Sequence, residues 1–268
     1  AIRPRPTKPE GDITHRDLAS VDELDWSFSW EITDLSGLEH ATNLADPFEG
    51  IEPPSSEGVG PGTYICKATG KKTQATIDAF NAGKADTDKL VLGTAYPGVY
   101  EGGLSLGCNT VFKGGVYFIR GGTLTINGNY GVTSESGVMF VLEDGANFKI
   151  NGGADINLSG MDEADLQNLG YTAEEAHKIN TMLIFETDGN DAKQNNTLNG
   201  NSNTFLNGAL YTKNNILDLS GTADVANACL LLVANKVNLT GTLNMTKWCK
   251  DPPNHPTTII YGSVSLVA

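Results

Sequence analysis

The chain of 268 residues has no long apolar run, no cationic cluster and almost no histidine. Its longest strongly apolar stretch, "ACLLLVA" at 228–234, is far short of the roughly 20 residues that a membrane-spanning helix needs. Eighteen Lys and Arg stand against 32 Asp and Glu, for a net charge of −14. Nucleic acid and anionic membrane surfaces require a basic face, so neither is an expected partner. The histidines, His15, His40, His177 and His255, are scattered. None sits in an HExxH run or beside a Ser or Cys nucleophile motif, and GxSxG, GxxxxGK[ST] and a strand-to-helix GxGxxG are all missing. After residue 16 the sequence holds one arginine, Arg120. These absences lead to the expectation that the chain is not an enzyme and carries no cofactor.

Cysteine is sparse and unclustered: Cys66, Cys108, Cys229 and Cys249 form no CxxC pair, which argues against a zinc or thioredoxin-like motif. An even number fits disulfides in an oxidising compartment, with three pairings available. Proximity along the chain favours Cys66 with Cys108 and Cys229 with Cys249, the alternative being buried free thiols. The first residues, "AIRPRPTKPE", lack an initiator Met, a charged n-region and an apolar h-region, which fits a signal or anchor having been removed.

What is abundant is glycine, at 31 residues, with a dense scatter of Asn and Thr, a composition suited to strands and tight turns. Residues 1–60 read as an extended Pro-rich arm and N-terminal cap, with Pro4, Pro6 and Pro9 followed by "DELDWSFSWEI". A short helix is expected over "KKTQATIDAFNA", 71–82, with Ile77 and Phe80 on one side and Gly83 as its stop.

After Leu90, short strands follow one another between Gly and Asn: 115–119, 123–126, 137–142, 147–150, 155–159, 181–186, 208–211, 216–220, 229–234 and 236–241. Related strands recur every 21 to 24 residues, pairing Val116 with Val138, Leu124 with Phe148, Leu210 with Leu231 and Ile216 with Val237. A repeat of that length with alternating apolar positions marks stacked coils that share one elongated core. The expected fold is therefore all-β, a right-handed parallel β-helix (β-solenoid) over 61–268, with a β-sandwich as the alternative. Residues at about 161–180 break the rhythm, and the Thr172 to Glu175 capping box predicts a helical insertion there. "TDGNDAKQNNTLNGNSNT", 187–204, reads as a long turn or irregular coil.

Candidate chemistry is thin. Glycan cleavage needs converging carboxylates or a cation site with a base. The coils offer Asp155, Glu186 and Asp218 with Lys149, at different phases, and Arg120 reads as a lone solvated cation. "ETDGND" could direct Glu186, Asp188, Asn190 and Asp191 oxygens at Ca²⁺, although its spacing departs from the EF-hand loop and a solvated acidic turn is the simpler reading. Asn157, Asn195, Asn238 and Asn244 each begin an N-x-[ST] sequon. Trp26, Trp30 and Trp248 suit sugar stacking or, more simply, packing at an end. "GTLTING" supplies one Thr-x-Thr pair, too few for an ice-binding array.

The order of "NLADPFEGIEPP", "PGVYEGGLSL", "FKGGVYFIRGGTLTINGNYGVTSESGVMFVLEDGANFKINGGADINLSG" and "TLNGNSNTFLNGALYTKNNILDLSGTADVANACLLLVANKVNLTGTLNM" resembles the C-terminal region of TadG-like proteins of the tight-adherence (Flp) pilus machinery. The resemblance covers about residues 44–246. It departs in two places: Glu101 stands where the family's PG-x-Y-C has cysteine, and the family's N-terminal membrane helix has no counterpart. It implies a bacterial cell-envelope or extracellular protein serving pilus assembly or adhesion, whose partners are pilus or surface subunits, itself included. The expected mode of action is presentation of a rigid acidic face and of strand edges at the solenoid ends. A secreted carbohydrate-binding or carbohydrate-active β-helix protein is the alternative.

Overall fold

The structure is a computed structural model that describes residues 46, 48–67, 74–85, 92–151, 156–200, 204–221, 230–240 and 263–266. It is a parallel β-solenoid of about six turns. In chain order the elements are β1 (Thr63–Ile65), α1 (Gln74–Asn81), β2 (Gly93–Tyr96), β3 (Gly98–Ser105), β4 (Thr110–Phe112), β5 (Gly115–Ile126), β6 (Val132–Ser134), β7 (Val138–Glu143), β8 (Asn147–Ile150) and β9 (Ile156–Ser159). After them come α2 (Glu163–Asn168), α3 (Ala173–Lys178), β10 (Met182–Glu186), β11 (Asn196–Gly200), β12 (Thr204–Gly221), β13 (Leu230–Thr240) and β14 (Ser263–Leu266). Coil 1 holds β2 and β3, coil 2 β4 and β5, coil 3 β6 to β8 and coil 4 β9 to β11. Coil 5 is β12 and coil 6 is β13, against which β14 adds one more strand. All described pairings are parallel except β1 on β2, which closes the first coil.

Coils 1 to 5 each have three walls, and walls B and C are described for coil 6. Wall A stacks β2, β4, β6, β9 and the start of β12. Wall B stacks 98–101, 115–120, β7, β10, 208–212 and 230–234. Wall C stacks 103–105, 123–126, β8, β11, 216–221, 236–240 and β14.

Alternate side chains point inward and merge into one core, including Leu124, Phe140, Phe148, Ile184, Leu210 and Leu217. No coil could bury these residues alone, so stacking is what removes them from water. Wall B is buried on its outer face as well. There Val116, Phe118, Met139, Val141, Phe185, Tyr211 and Val233 form a second core with Phe48 and Ile51 of the N-terminal segment and Leu166, Ala176 and Ile179 of the helical insertion. A parallel sheet covered on both faces reads as continuous apolar sequence, which explains "GVMFVL" and "MLIFE".

That double burial changes the register. Leu124 does oppose Phe148, but Val116 opposes Met139, Leu210 opposes Leu232, and Leu217 opposes Val237. Three of the four expected correspondences are therefore shifted by one residue, and a shift of one exchanges the two faces. Two further differences concern existence. Of the wall A strands, β9 falls on the expected strand at 155–159, but β2, β4 and β6 were not expected, nor was β11, whose Asn196–Gly200 lies inside the stretch read as irregular coil.

The insertion contains α2, capped by the Asp162 side chain on the Asp165 N–H, and α3, with the Thr172–Glu175 capping box complete. Helix α1 ends as Gly83 turns to φ +73°. Of residues 1–60, those at 46 and 48–60 run along the outside of wall B, while the Pro-rich arm and "DELDWSFSWEI" lie outside the described residues. The Tyr211 hydroxyl of coil 5 donates to Asp46 Oδ2 at 2.6 Å, the Tyr171 hydroxyl of the insertion donates to the Glu52 carbonyl at 2.7 Å, and Ser56 Oγ donates to Glu143 of coil 3 at 3.0 Å. This strap crosses the stack from coil 5 to coil 1, where the Val99 N–H donates to the Gly60 carbonyl.

The likeness between "PGVYEGG" and "GGVYFIRGG" is a repeated corner between walls A and B. The Tyr100 hydroxyl lies 2.6 Å from the Tyr96 carbonyl and 2.9 Å from that of Thr63. The Tyr117 hydroxyl lies 2.7 Å from the Lys113 carbonyl and 2.8 Å from that of Ala95. The rings stack with centroids 6.0 Å apart, and Phe112 and Phe140 continue the aromatic column. The segment leading into β1 approaches this corner so closely that a Cβ at Gly98, whose φ is +140°, would lie 2.6 Å from the Gly62 nitrogen. Only glycine fits there.

Candidate functional site

The sequence candidates fall into two groups, a polar corner between walls B and C and the outer face of wall C. Corners must satisfy backbone groups that the sheet ladders leave over, and asparagine does so here. Asn190 accepts from the Gly145 N–H at 2.7 Å and donates to the Ala146 carbonyl at 2.9 Å, joining coil 4 to coil 3. Asn215 accepts from the Ala192 N–H at 3.1 Å and donates to the Asn190 carbonyl at 2.8 Å, joining coil 5 to coil 4.

Glu186 is held inside this corner, 1% exposed. It accepts from Asn190 Nδ2 at 2.9 Å, from the Asn214 N–H at 2.8 Å and from Asn215 Nδ2. Burial pushes its carboxyl above the usual range, opposed by those donors and by the Lys213 charge. Asp188 instead pairs with Lys213, and Asp191 is exposed. The four residues considered for Ca²⁺ thus occupy one corner, but Glu186 and Asn190 spend their oxygens on protein donors. Among the described residues no three His, Cys, Asp or Glu side chains come together as a metal set.

Asp218 accepts from Asn195 at 2.9 Å and from Asn238 at 2.7 Å, so two sequon asparagines have their amide nitrogens tied to one carboxylate. Asn157 is exposed on wall A. Asp155, Asn244, Cys229, Cys249, the three tryptophans and His15, His40 and His255 lie outside the described residues. His177 forms a surface pair with Glu163 at 2.8 Å.

Arg120 is not the lone cation expected. It reaches Glu101 of coil 1 at 2.7 Å, Glu143 of coil 3 at 3.0 Å, Asp144 at 3.3 Å and Ser56 of the strap at 2.5 Å. The register supplies this column, setting Glu101 against Arg120 and Arg120 against Glu143. Cys66 and Cys108 are bonded, with Cα atoms 6.1 Å apart, and tie the segment after β1 to coil 1.

The outer face of wall C escaped the sequence reading. In register along the stack stand Ser105, Thr125, Lys149, Thr197, Asp218 and Asn238. Beside them Asn151 donates to Asn127 at 3.5 Å, Asn199 donates to Asn151 at 3.2 Å, and Ser220 donates to Asn199. Thr123 donates to Asn147 at 2.7 Å, and Asn147 to the Asn195 carbonyl at 3.3 Å. These ladders give a flat, half-exposed polar face whose side chains are held at the strand spacing of roughly 4.8 Å. The only signal for it in the sequence was the polar member of each alternating pair.

Comparison with family models, curated proteins and solved structures finds no match.

Proposed function

We propose that the chain is a non-catalytic structural or adhesive module of a bacterial surface, serving a pilus or another surface assembly through contacts with protein subunits. The observation that carries this reading is the cross-tied rod itself. Wall B is sealed on both faces, while wall C offers a continuous polar plane over the whole stack. Ladders, corner asparagines and the axial strap each join successive coils, so the plane is held rigid. A rigid plane suits recognition by surface complementarity, because little side-chain freedom remains to be lost on contact.

The TadG-like order of motifs supports a place in the pilus machinery, and the Cys66–Cys108 disulfide fits an oxidising, extracellular or envelope location. The test is to incubate the purified protein with a panel of bacterial and plant polysaccharides and assay new reducing or unsaturated ends. The reading predicts no turnover above that of a Glu186→Ala, Asp188→Ala control. Turnover that this control loses contradicts it.

A further inference from the structure

The charges of the described residues are divided between two sides of the rod. Over wall B, the strap and the insertion carry Asp46, Glu49, Glu52, Glu57, Asp162, Glu163, Asp165, Glu174 and Glu175 against one cation, Lys178. The strands of wall C carry two lysines, Lys149 and Lys236, and one aspartate, Asp218. The carboxylate of Asp218 is already engaged by Asn195 and Asn238. Lys149 and Lys236 have no ion pair among the described residues, nor do Lys67 and Lys193 outside the wall, whereas Lys113, Arg120, Lys178 and Lys213 do. In a chain with a net charge of −14, two lysines left without carboxylates on one flat wall call for a partner.

From this division we infer that wall C docks against the acidic strap-and-helix cover of a second copy of the chain. The inference rests on the assembly reading given above and names the surfaces that assemble. Both surfaces extend along the axis of the stack. Lys149 sits in coil 3 and Lys236 in coil 6, about 14 Å apart along the stack at roughly 4.8 Å per coil. The strap runs axially from Tyr211 of coil 5 to Arg120 of coil 2 and carries the exposed Glu49 and Glu52 between these anchors. The two surfaces lie on different sides of one molecule, so the contact is heterologous and each copy keeps a free surface of each kind. Such contacts propagate into open arrays instead of closing as dimers.

A wall about 29 Å long and about 15 Å wide is small for a permanent complex, so the contact is weak and depends on the crowding a surface provides. Whole-molecule repulsion between acidic copies is screened beyond about 8 Å at physiological ionic strength, which leaves contact-range pairs to decide the outcome.

The experiment is sedimentation velocity of the full chain over a range of concentrations at physiological salt, with far-UV circular dichroism to confirm folding. Wild type is compared with Lys149→Glu, Lys236→Glu and with Glu49→Lys, Glu52→Lys, all four being exposed or half-exposed positions. Wild type associates as concentration rises, and each double variant alone loses that association. An equimolar mixture of the two variants regains it, because each then meets its opposite charge. If wild type assembles but the variants assemble equally well, or their mixture stays monomeric, this interface is overturned while the assembly reading stands. Wild type that remains monomeric overturns both.

Discussion

Asp46 and Tyr211 stand 165 positions apart in the chain, yet the Tyr211 hydroxyl donates to Asp46 Oδ2 at 2.6 Å. Phe48 sets its ring edge-on to Tyr211 with centroids 5.1 Å apart, and Phe185 meets Tyr211 from coil 4 at 5.3 Å. A segment that precedes the solenoid is thereby fastened to its fifth coil, across coils that are not its sequence neighbours.

Phe48 is 1% exposed, so Phe48→Ala removes the main apolar anchor of the strap and leaves wall B partly uncovered. The expected cost is about 3–5 kcal/mol, as for other buried Phe to Ala changes. It is read as a lower urea midpoint with increased binding of a hydrophobic dye. A change under about 0.5 kcal/mol, typical of surface positions, would mean that the strap is not seated.

The Cys66–Cys108 bond closes a separation of 42 residues. Replacing both cysteines by serine is expected to destabilise the protein by about 2–4 kcal/mol. Thermal unfolding of the oxidised protein, the double variant and the reduced wild type checks this. The variant and the reduced protein should agree with each other and lie below the oxidised form.

Glu186 makes a signed prediction. Burial raises its carboxyl pKa in the folded state, so the folded protein holds this proton more readily than the unfolded chain. The stability associated with Glu186 therefore grows as pH falls from neutral toward the unfolded carboxylate range near about 4.3, and is lost as pH rises through the raised folded value. Urea unfolding of wild type and Glu186→Gln at neutral and mildly acidic pH isolates this residue, because every other carboxylate is common to both. Wild type should gain on the variant as pH falls. A loss would mean that the three donors outweigh desolvation.

Four tyrosines respond at the other end of the pH scale. Desolvation by burial pushes Tyr100 up to about 12, and raises Tyr117, Tyr171 and Tyr211 further. Keeping them neutral stabilises the fold below the ordinary tyrosine value of about 10, and that contribution is lost as pH rises through the folded values. An ultraviolet titration should show part of the eight tyrosines ionising near their usual pH, with the remainder ionising only with unfolding. All eight ionising together in the folded protein would refute the buried tyrosine corners.

How much of this was legible in the sequence differed by wall. Wall C keeps its apolar residues on the inner face, Ile216 excepted, so the alternation around Leu124 and Phe148 gave the correct partner. Ile216, half-exposed on the outer side of wall C, looked like a core position and displaced the partner of Val237 by one residue. Wall B is apolar on both faces, and there periodicity cannot say which of Val138 and Met139, or Leu231 and Leu232, faces inward. In wall A, the alternation of Ile156 and Leu158 made β9 visible, whereas β2, β4 and β6, of three or four residues with Thr in each, show no such period. The capping box at Thr172 was visible because it is local. The strap, the Arg120 column and the polar plane of wall C were hidden, since each depends on register between coils 19 to 48 residues apart or on contacts over 100 positions away.

The central claim is that this solenoid works by assembling. Negative-stain electron micrographs of the purified, disulfide-intact full chain over increasing concentration test it most directly. Ordered oligomers or filaments built from rods of about six coils are the predicted result, whereas dispersed single rods at every concentration would contradict the account.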